Sequence, residues 1–233
     1  MAFVLVTGAS QGIGAAIALR FAQERNVRLA VVARNTGALK QVADDCRQLG
    51  ADARFFQCDL TKEREVAQFA ENLEADMGTP GVIVNNAGSF QPGSVESTSP
   101  TDFRHQIESN LLSAFYVTHA FLPTMVRRKS GHIFFLASVA SIKGYPAGAA
   151  YCAAKHGLLG LARALREETR EVGIRVTSVM PGATYTKSWA GTGLPENRFI
   201  PPEDVARTIV DAYHLSSRSV IEEILLRPQL GDL

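Results

Sequence analysis

Tyr151 and Lys155 are the residues whose types and spacing most directly suggest chemistry in this sequence, where they stand four apart in the segment YCAAK. On a helix, residues at this spacing share one face, so the phenol and the ammonium group would lie side by side. A free phenol titrates at about pH 10, and a nearby cation stabilises the phenolate and lowers that pKa. The pair therefore predicts either a phenol used in acid–base catalysis or a surface pair without chemistry.

A glycine-rich segment near the start of the chain predicts a nucleotide-binding turn. The segment TGASQGIG, residues 7 to 14, follows an apolar run and opens a helical pattern. Glycines at positions 8, 12 and 14 allow a sharp turn and a close approach to a pyrophosphate, which the N–H groups of the helix would bind. A lone glycine turn can also exist without a ligand, but a position between strand and helix favours nucleotide binding.

Apolar runs and helical patterns alternate along the whole chain. The apolar and β-branched runs predict strands near 2–7, 27–33, 53–58, 82–86, 132–138, 174–180 and 219–226. The helical patterns between them lie at about 12–25, 36–49, 62–77, 101–129, 151–172 and 202–215. This alternation predicts an α/β fold with a parallel sheet covered by helices on both faces. No linker divides residues 1–233, so we expect a single domain, with residues 183–201 as a loop where ligands enter.

The end of the second predicted strand indicates which nucleotide is bound. It reads VVARN, with Ala33 and Arg34 at the place where an acidic residue would otherwise bind the adenosine ribose. A guanidinium group there can form charge-assisted hydrogen bonds to a 2′-phosphate. The sequence therefore favours NADP(H) over NAD(H), and a freely solvated loop arginine is the alternative interpretation of Arg34.

Composition and charge argue against several other classes of partner. The 233 residues carry a net charge of +1, which gives no electrostatic basis for binding nucleic acid or an anionic membrane. The three cysteines show no CxxC spacing and the five histidines show no metal-ligand spacing, so we expect reduced thiols and no metal site. The first apolar run is too short for a signal peptide or a membrane span. We therefore expect a cytoplasmic protein.

The motifs TGASQGIG, NNAG at 85–88, Ser138, YCAAK and PG at 181–182 follow one another in this order. Together with the strand–helix alternation, they resemble the short-chain dehydrogenase/reductase family over essentially the whole chain. The resemblance implies a single Rossmann-like domain with a doubly wound parallel sheet of about seven strands in the order 3-2-1-4-5-6-7. It also implies an NAD(P)-dependent oxidoreductase that acts on CH–OH groups.

The resemblance assigns Asn110, Ser138, Tyr151 and Lys155 to catalysis. Tyr151 would be the general acid that protonates a carbonyl oxygen, and Lys155 would lower its pKa and bind the nicotinamide ribose. Ser138 would donate a hydrogen bond to the substrate oxygen, and the carbonyl of Asn110 would hold a water that passes protons to the lysine. A turn serine and a polar residue at a helix irregularity are the alternative interpretations of Ser138 and Asn110.

The same resemblance assigns the cofactor contacts. Asp59 would bind the adenine amine, the NNAG segment would pass the adenosine ribose, and residues 181–186 would orient the nicotinamide ring. Gln11 stands where many NADP-preferring members have Lys or Arg, which leaves more of the preference to Arg34. The full set of expected cofactor-binding residues is Gly8, Ser10, Gln11, Gly12, Ile13, Gly14, Arg34, Asp59, Leu60, Asn86, Ala87, Gly88, Tyr151, Lys155, Pro181, Gly182, Thr184 and Thr186.

The substrate end of the site is less specified by these motifs. The segments PGATYTKSW and SSRSVIEEILLRPQLGD are similar to bacterial sepiapterin-reductase-like members of the family, with 3-oxoacyl-carrier-protein reductases as the other near relatives. The short segment after Gly182 predicts an open pocket. Candidates for its walls are Phe90, Gln91, Tyr145, Tyr185 and Trp189, and plain packing is the alternative for each.

We expect an NADPH-dependent carbonyl reductase that acts on a small-molecule substrate as a homodimer or homotetramer. The helix at 151–172 is apolar on more than one face, which indicates either a partner subunit or contact with the helix at 101–129. The competing function is a non-catalytic NADP(H)-sensing regulatory protein on the same fold, against which the complete Asn-Ser-Tyr-Lys set argues. A sugar-nucleotide epimerase of the related extended group fits worse, because its glycine spacing differs.

Overall fold

Seven strands form one parallel sheet in the part of the chain that the computed structural model describes, residues 2–189 and 192–233. The strands are β1 (Ala2–Thr7), β2 (Val27–Ala33), β3 (Asp52–Gln57), β4 (Val82–Asn85), β5 (Gly131–Leu136), β6 (Ile174–Pro181) and β7 (Glu223–Leu226). Their order across the sheet is β3-β2-β1-β4-β5-β6-β7, which confirms the predicted Rossmann-like arrangement. All neighbours are parallel, so the strands end at one edge of the sheet.

Helices cover both faces of the sheet, because successive residues of a strand point to opposite sides. The helices are α1 (Gly12–Ala22), α2 (Thr36–Gln48), α3 (Glu63–Met77), α4 (Pro100–Ile107), α5 (Ser113–Arg128), α6 (Ala149–Thr169) and α7 (Pro202–Tyr213). Val4 and Val6 of β1 pack in the layer that holds α1, α2 and α7, whereas Phe3 and Leu5 pack in the layer that holds α3, α5 and α6. None of the helices in the described ranges is long and apolar enough to cross a membrane.

The predicted helix at 101–129 is interrupted between α4 and α5 by a π turn over Glu108–Leu112. Such a turn holds one residue more than an α-helical turn, and the apolar period of the sequence does not reveal it. Asn110 lies in the middle of the turn, and its amide donates to the backbone oxygen of Gln106 at 3.0 Å and of Ser89 at 2.8 Å. The irregularity therefore lies at a residue that the sequence had singled out for catalysis.

The last strand is shorter than the sequence pattern predicts. The pattern covers 219–226, whereas only Glu223–Leu226 pairs with β6. Val220 and Ile221 have high β-propensity, but they precede the paired segment, and pairing within the sheet overrides propensity. The other predicted boundaries agree with the structure to within about three residues.

The ends of β1, β4, β5 and β6 lie together at the carboxyl edge of the sheet. Val84 pairs with Val6 on one side and with Phe134 on the other, and Leu136 pairs with Val179. The chain crosses from β1 to β2 on one side and from β4 to β5 on the other side, so β1 and β4 flank the switch point of the sheet. A doubly wound sheet opens a ligand crevice at this point.

Candidate active site

One cleft with a volume of about 990 Å³ crosses the carboxyl edge of the sheet. Its lining includes residues that follow β1, β2, β3, β4, β5 and β6. Every residue that the sequence predicted to be catalytic or cofactor-binding is among them. The fold therefore brings motifs that are far apart in the chain into a single site.

The glycine-rich segment TGASQGIG, residues 7–14 and here called the glycine loop, is held in place by the side chains of Thr7 and Asn86. The Thr7 hydroxyl donates to the backbone oxygen of Val84 at 3.2 Å. The same hydroxyl accepts the N–H groups of Asn86 and Ala87, each at 2.9 Å, and the Asn86 amide donates to the Thr7 oxygen at 2.8 Å. A Cβ atom at Gly14 would clash with the Asn86 amide nitrogen, so a larger residue would displace the Asn86 side chain from its hydrogen bond with Thr7. Thr7 opens the motif TGASQGIG, but it was not among the predicted site residues, because the motif was interpreted through its glycines.

The first turn of α1 presents its N–H groups to the cleft. Its N-cap residue, Gln11, is extended and forms no side-chain capping hydrogen bond. Gly8 and Gly12 have φ angles of 64° and 57°, in the left-handed region that favours glycine. The first N–H groups of a helix have no partner within the helix, and the positive end of the helix dipole favours an anion. This turn can therefore hold a pyrophosphate.

The carboxylate of Asp59 and the guanidinium group of Arg34 lie at the end of the cleft next to β2 and β3. Asp59 Oδ1 accepts the N–H of Thr61 at 3.1 Å and its hydroxyl at 2.8 Å. Burial tends to raise the pKa of Asp59, but the hydrogen bonds from Thr61 and the charges of Arg34 and Lys62 outweigh it and lower the pKa. Asp59 is therefore an ionised acceptor, and the exposed Arg34 is a suitable donor for a phosphate group. Lys62 lies outside the cleft lining and acts on Asp59 only through its charge.

The hydroxyl groups of Ser138 and Tyr151 both line the cleft, and the Ser138 hydroxyl is near enough to lower the pKa of Tyr151. Ser138 follows the end of β5, and its Oγ accepts the N–H of Ala140 at 3.1 Å. Tyr151 lies in the first turn of α6, and the ring of Phe90 packs edge-on against it with 5.2 Å between centroids. Two adjacent hydroxyls of this kind can both bond to one carbonyl oxygen of a ligand.

Lys155 lies one turn along α6 from Tyr151, on the same face of the helix, as the spacing predicts. Its side chain is buried, and Nζ donates to the backbone oxygen of Leu136 at 2.7 Å. The distance from Nζ to the centroid of the Tyr151 ring is 5.6 Å. Burial lowers the pKa of Lys155 to about 8, so the amine is protonated and charged in most of the protein molecules at neutral pH.

The pKa of Tyr151 differs from the value expected from the sequence. Burial raises this pKa to about 12, an effect that exceeds the lowering caused by the nearby Ser138 hydroxyl. The predicted pKa rested on the charge of Lys155 alone. Burial removes the Tyr151 phenolate from water, which raises the pKa. The expected lowering of the pKa is therefore wrong for this structure. Tyr151 is protonated at neutral pH, which is the state that a general acid requires.

Asn110 holds the segment that follows β4. Its Oδ1 accepts the N–H of Ser89 at 3.3 Å, while its amide donates to the Ser89 oxygen at 2.8 Å. A Cβ atom at Gly88 would lie 2.5 Å from Asn110 Oδ1 and 3.7 Å from Lys155 Nζ. Gly88 therefore allows Asn110 and Lys155 to approach the same stretch of backbone. The role of the Asn110 carbonyl as a water ligand stays a prediction.

The segment after β6 lies over the glycine loop. A Cβ atom at Gly12 would be 3.2 Å from Cγ2 of Thr186, so the two segments are in contact. The N–H of Tyr185 donates to the oxygen of Ile200 at 2.9 Å, which ties the start of the predicted loop at 183–201 to its end. Residues 190 and 191 of that loop lie outside the described residues.

Aromatic side chains form part of the other end of the cleft. Phe90, Tyr145 and Trp189 line it, as the sequence predicted. The two other predicted walls, Gln91 and Tyr185, are not part of the lining.

The C-terminal residues Asp232 and Leu233 also line the cleft, which the sequence analysis missed. Asp232 Oδ2 accepts a hydrogen bond from Arg227 at 2.6 Å and lies 3.9 Å from Lys143 Nζ. Asp232 Oδ1 is buried and has no hydrogen-bond partner among the described residues. The Asp232 side chain as a whole is partly exposed, so its carboxylate can be reached from the cleft. The local sequence around Asp232 contains no signal for this placement.

The cleft fits a nicotinamide dinucleotide along its length. The glycine loop forms a cradle that Cβ atoms would fill, and the first turn of α1 can hold the pyrophosphate. Asp59 and Arg34 can bind the adenosine end. At the opposite end, a carbonyl compound can reach the hydroxyls of Ser138 and Tyr151.

A family model described as short chain dehydrogenase matches residues 2–196. The match includes the glycine loop, Ser138 and the Tyr151–Lys155 pair. Fold and site together define a nucleotide-dependent oxidoreductase of the α/β class. More narrowly, the chain belongs to the short-chain dehydrogenase/reductase family, and it is an oxidoreductase that acts on CH–OH groups.

Two relatives and one solved structure resemble the protein over most of its length. Sepiapterin reductase of Chlorobaculum tepidum is 35% identical over 237 residues, which cover 99% of this chain and 97% of that protein. The 3-oxoacyl-[acyl-carrier-protein] reductase of Homo sapiens is 35% identical over 212 residues, which cover 88% of this chain and 88% of that protein. A metagenomic short-chain oxidoreductase, solved in complex with NADP, has a TM-score of 0.87 at 33% identity and covers 99% of this chain and 98% of its own.

Proposed function

We propose that this protein is an NADPH-dependent carbonyl reductase that converts a ketone or an aldehyde to an alcohol. The observation that carries the proposal is the placement of the Ser138 and Tyr151 hydroxyls in one cleft that fits a dinucleotide, with the Lys155 ammonium group 5.6 Å from the centroid of the Tyr151 ring. When bound, NADPH would supply the hydride for the carbonyl carbon. The reaction also needs one proton for the carbonyl oxygen, and residues of this chain supply it.

Tyr151 is the proton donor in this proposal. Its pKa of about 12 keeps the proton on the phenol until negative charge develops on the carbonyl oxygen. Ser138 donates a hydrogen bond to that oxygen and stabilises the developing charge. The proton then passes from Tyr151 Oη to the oxygen, and the charge of Lys155 stabilises the phenolate that remains. Lys155 would also bind the ribose hydroxyls, and Asn110 would hold the water that returns a proton.

Arg34 supports NADP(H) as the preferred cofactor. Its guanidinium group is exposed directly after β2, and its charge reaches Asp59 at the same end of the cleft. A 2′-phosphate there would accept hydrogen bonds from the guanidinium group and would be attracted by Lys62. The solved relative that was crystallised with NADP agrees with this preference.

Arg34→Ala should raise the KM for NADPH by about 10- to 100-fold, because a hydrogen bond to a charged group contributes about 1.5–3 kcal/mol. The KM for NADH should change little, since NADH has no 2′-phosphate. Steady-state rates with both cofactors measure the effect. Arg25→Ala is the matched control, because Arg25 is an exposed arginine outside the cleft lining. Equal losses with NADPH and NADH would contradict the assignment of Arg34.

The substrate end of the cleft favours a planar carbonyl compound with N–H groups, such as a pterin, over a 3-oxoacyl thioester. Phe90, Tyr145 and Trp189 provide aromatic surface for a planar ring. The Asp232 carboxylate, which lines the cleft and is partly exposed, suits an N–H donor, which a 3-oxoacyl chain lacks at its reacting end. The C. tepidum relative, whose name specifies sepiapterin reduction, is consistent with this choice.

Oxidation of NADPH, followed by absorbance with a panel of carbonyl compounds, tests the proposal. The panel contains sepiapterin, a 3-oxoacyl thioester, a diketone and a steroid ketone, and we expect the fastest turnover with sepiapterin. Fastest turnover with the thioester would refute the substrate class and leave carbonyl reduction intact. Tight NADPH binding without turnover on any member would instead support the NADP(H)-sensing protein.

We also propose that the enzyme is a cytoplasmic homodimer or homotetramer. The inner faces of α6 are already occupied within the chain, where Leu158 and Ala162 share a cluster with Val117 and Phe121 of α5. Phe115 on the outer surface of α5 is 41% exposed, which leaves apolar surface for a second copy. Size-exclusion chromatography with light scattering measures the assembly, and a monomer at micromolar concentration would refute it.

A further inference from the structure

A reciprocal pair of hydrogen bonds joins Ser138 to the short 3-10 turn that follows it, Val139–Ser141. The Oγ of Ser138 accepts the N–H of Ala140 at 3.1 Å, and the N–H of Ser138 donates to Oγ of Ser141 at 3.2 Å. In addition, the N–H of Ser141 donates to the backbone oxygen of Ser138 at 2.8 Å. Both serines are buried, with 8% and 3% of their surface exposed. The turn therefore fixes Ser138 through its backbone and its side chain.

The contact with Ala140 decides how the Ser138 hydroxyl is used. A hydroxyl has one proton to donate, and an N–H group can only be a donor to it. Because Ala140 provides an N–H group, the Ser138 proton is left for an acceptor on the other side, where the cleft and Tyr151 lie. A serine without such a fixed donor can rotate and bond to nearby backbone instead. The position of the Ala140 N–H thus directs the Ser138 hydroxyl toward a substrate oxygen.

We propose that Ser141 is a positioning residue for Ser138, an inference that rests on the proposed carbonyl reduction. Its hydroxyl oxygen accepts a hydrogen bond from the buried N–H of Ser138. This bond closes the turn that places the Ala140 N–H against Ser138 Oγ. Without the Ser141 hydroxyl, the N–H of Ser138 would be buried and unpaired. Because such a state costs free energy, the turn would rearrange. Ser141 does not touch the substrate, and its effect on turnover passes through Ser138.

Ser141→Ala should lower kcat by about 10-fold, the size expected from one lost buried hydrogen bond. The dissociation constant for NADPH should stay unchanged, because the turn is not part of the glycine loop. Ser141→Cys keeps most of the side-chain volume but replaces the hydroxyl with a weak acceptor, so it should also lower kcat. This variant tests the proposal if Ser141→Ala does not fold. Thr169→Val is the matched control, since it removes a buried hydroxyl at the far end of α6.

A double-mutant cycle separates positioning from a general structural effect. In a Ser138→Ala background, Ser141→Ala should cause no further loss of kcat, because the residue through which it acts is absent. The same fold loss in both backgrounds would overturn the proposal. So would a parent-like kcat in the single Ser141→Ala variant.

Amide hydrogen exchange at Ala140 tests the positioning without any turnover. The Ala140 N–H is protected by Ser138 Oγ, so both Ser138→Ala and Ser141→Ala should speed its exchange by about 10-fold. Unchanged exchange in Ser141→Ala would overturn the positioning role even if turnover fell. If the parent enzyme reduced no carbonyl compound, the proposed function would fail, and the exchange rates would still decide whether Ser141 positions Ser138.

Discussion

Tyr151→Phe should lower the rate of carbonyl reduction by about 10²- to 10⁴-fold, the range that general acid catalysis contributes. The substitution removes the proton donor and keeps the aromatic ring, which packs against Phe90. NADPH affinity should remain close to that of the parent, since the glycine loop, Arg34 and Lys155 are unchanged. Single-turnover rates and NADPH titration by fluorescence measure the two quantities separately.

Tyr116→Phe is the control for this substitution, because Tyr116 lies on α5 outside the cleft lining and loses the same hydroxyl group. It should keep most of the parent turnover. A Tyr151→Phe variant that reduces the same substrate at the parent rate would refute the role of the phenol as proton donor. Loss of NADPH binding in that variant would show instead that the phenol is needed to hold the cofactor.

Lys155→Met should weaken both turnover and cofactor binding, which distinguishes it from Tyr151→Phe. Methionine keeps most of the buried volume, but it removes the charge that stabilises the Tyr151 phenolate and the donor that would bind the ribose. We expect a loss of about 10²-fold in kcat and about 10-fold in NADPH affinity. Lys40→Met, which removes an exposed lysine of α2, is the control. Parent-like NADPH affinity in Lys155→Met would refute the double role.

The pH dependence of both activity and stability follows from the pKa of Lys155, which burial lowers to about 8. The rate of reduction should fall as pH rises through this value, because the phenolate loses its charged neighbour. This fall at alkaline pH should be absent in Lys155→Met.

The stability of the folded protein should change with pH in the opposite direction. Between pH 8 and the ordinary pKa of about 10.5, the unfolded chain binds more protons than the folded one, so stability of the free enzyme rises with pH. Denaturant titrations at pH 7 and 9.5 measure the rise, which Lys155→Met should lack.

The parts of this protein that the sequence predicts are those that depend on local pattern. Strands buried on both faces appear as continuous apolar runs, and the four-residue spacing of Tyr151 and Lys155 places them on one helix face whatever surrounds them. Asp232 was missed because its approach to the cleft depends on how the last residues fold back, not on its neighbours in the chain. The pKa of Tyr151 was misjudged for a similar reason, since burial is a property of the packed site.

The π turn between α4 and α5 makes the site sensitive to the length of the chain as well as to its side chains. Each residue of an α-helix turns the backbone by about 100°, so a single deletion within Glu108–Leu112 that restored an α-helical turn would rotate α4 relative to α5 by about that angle. Asn110 could not then keep its bonds to both Gln106 and Ser89. A shortened protein would keep its helix content by circular dichroism and lose turnover. The extra residue therefore works as a spacer, and no substitution at a neighbouring position can replace it.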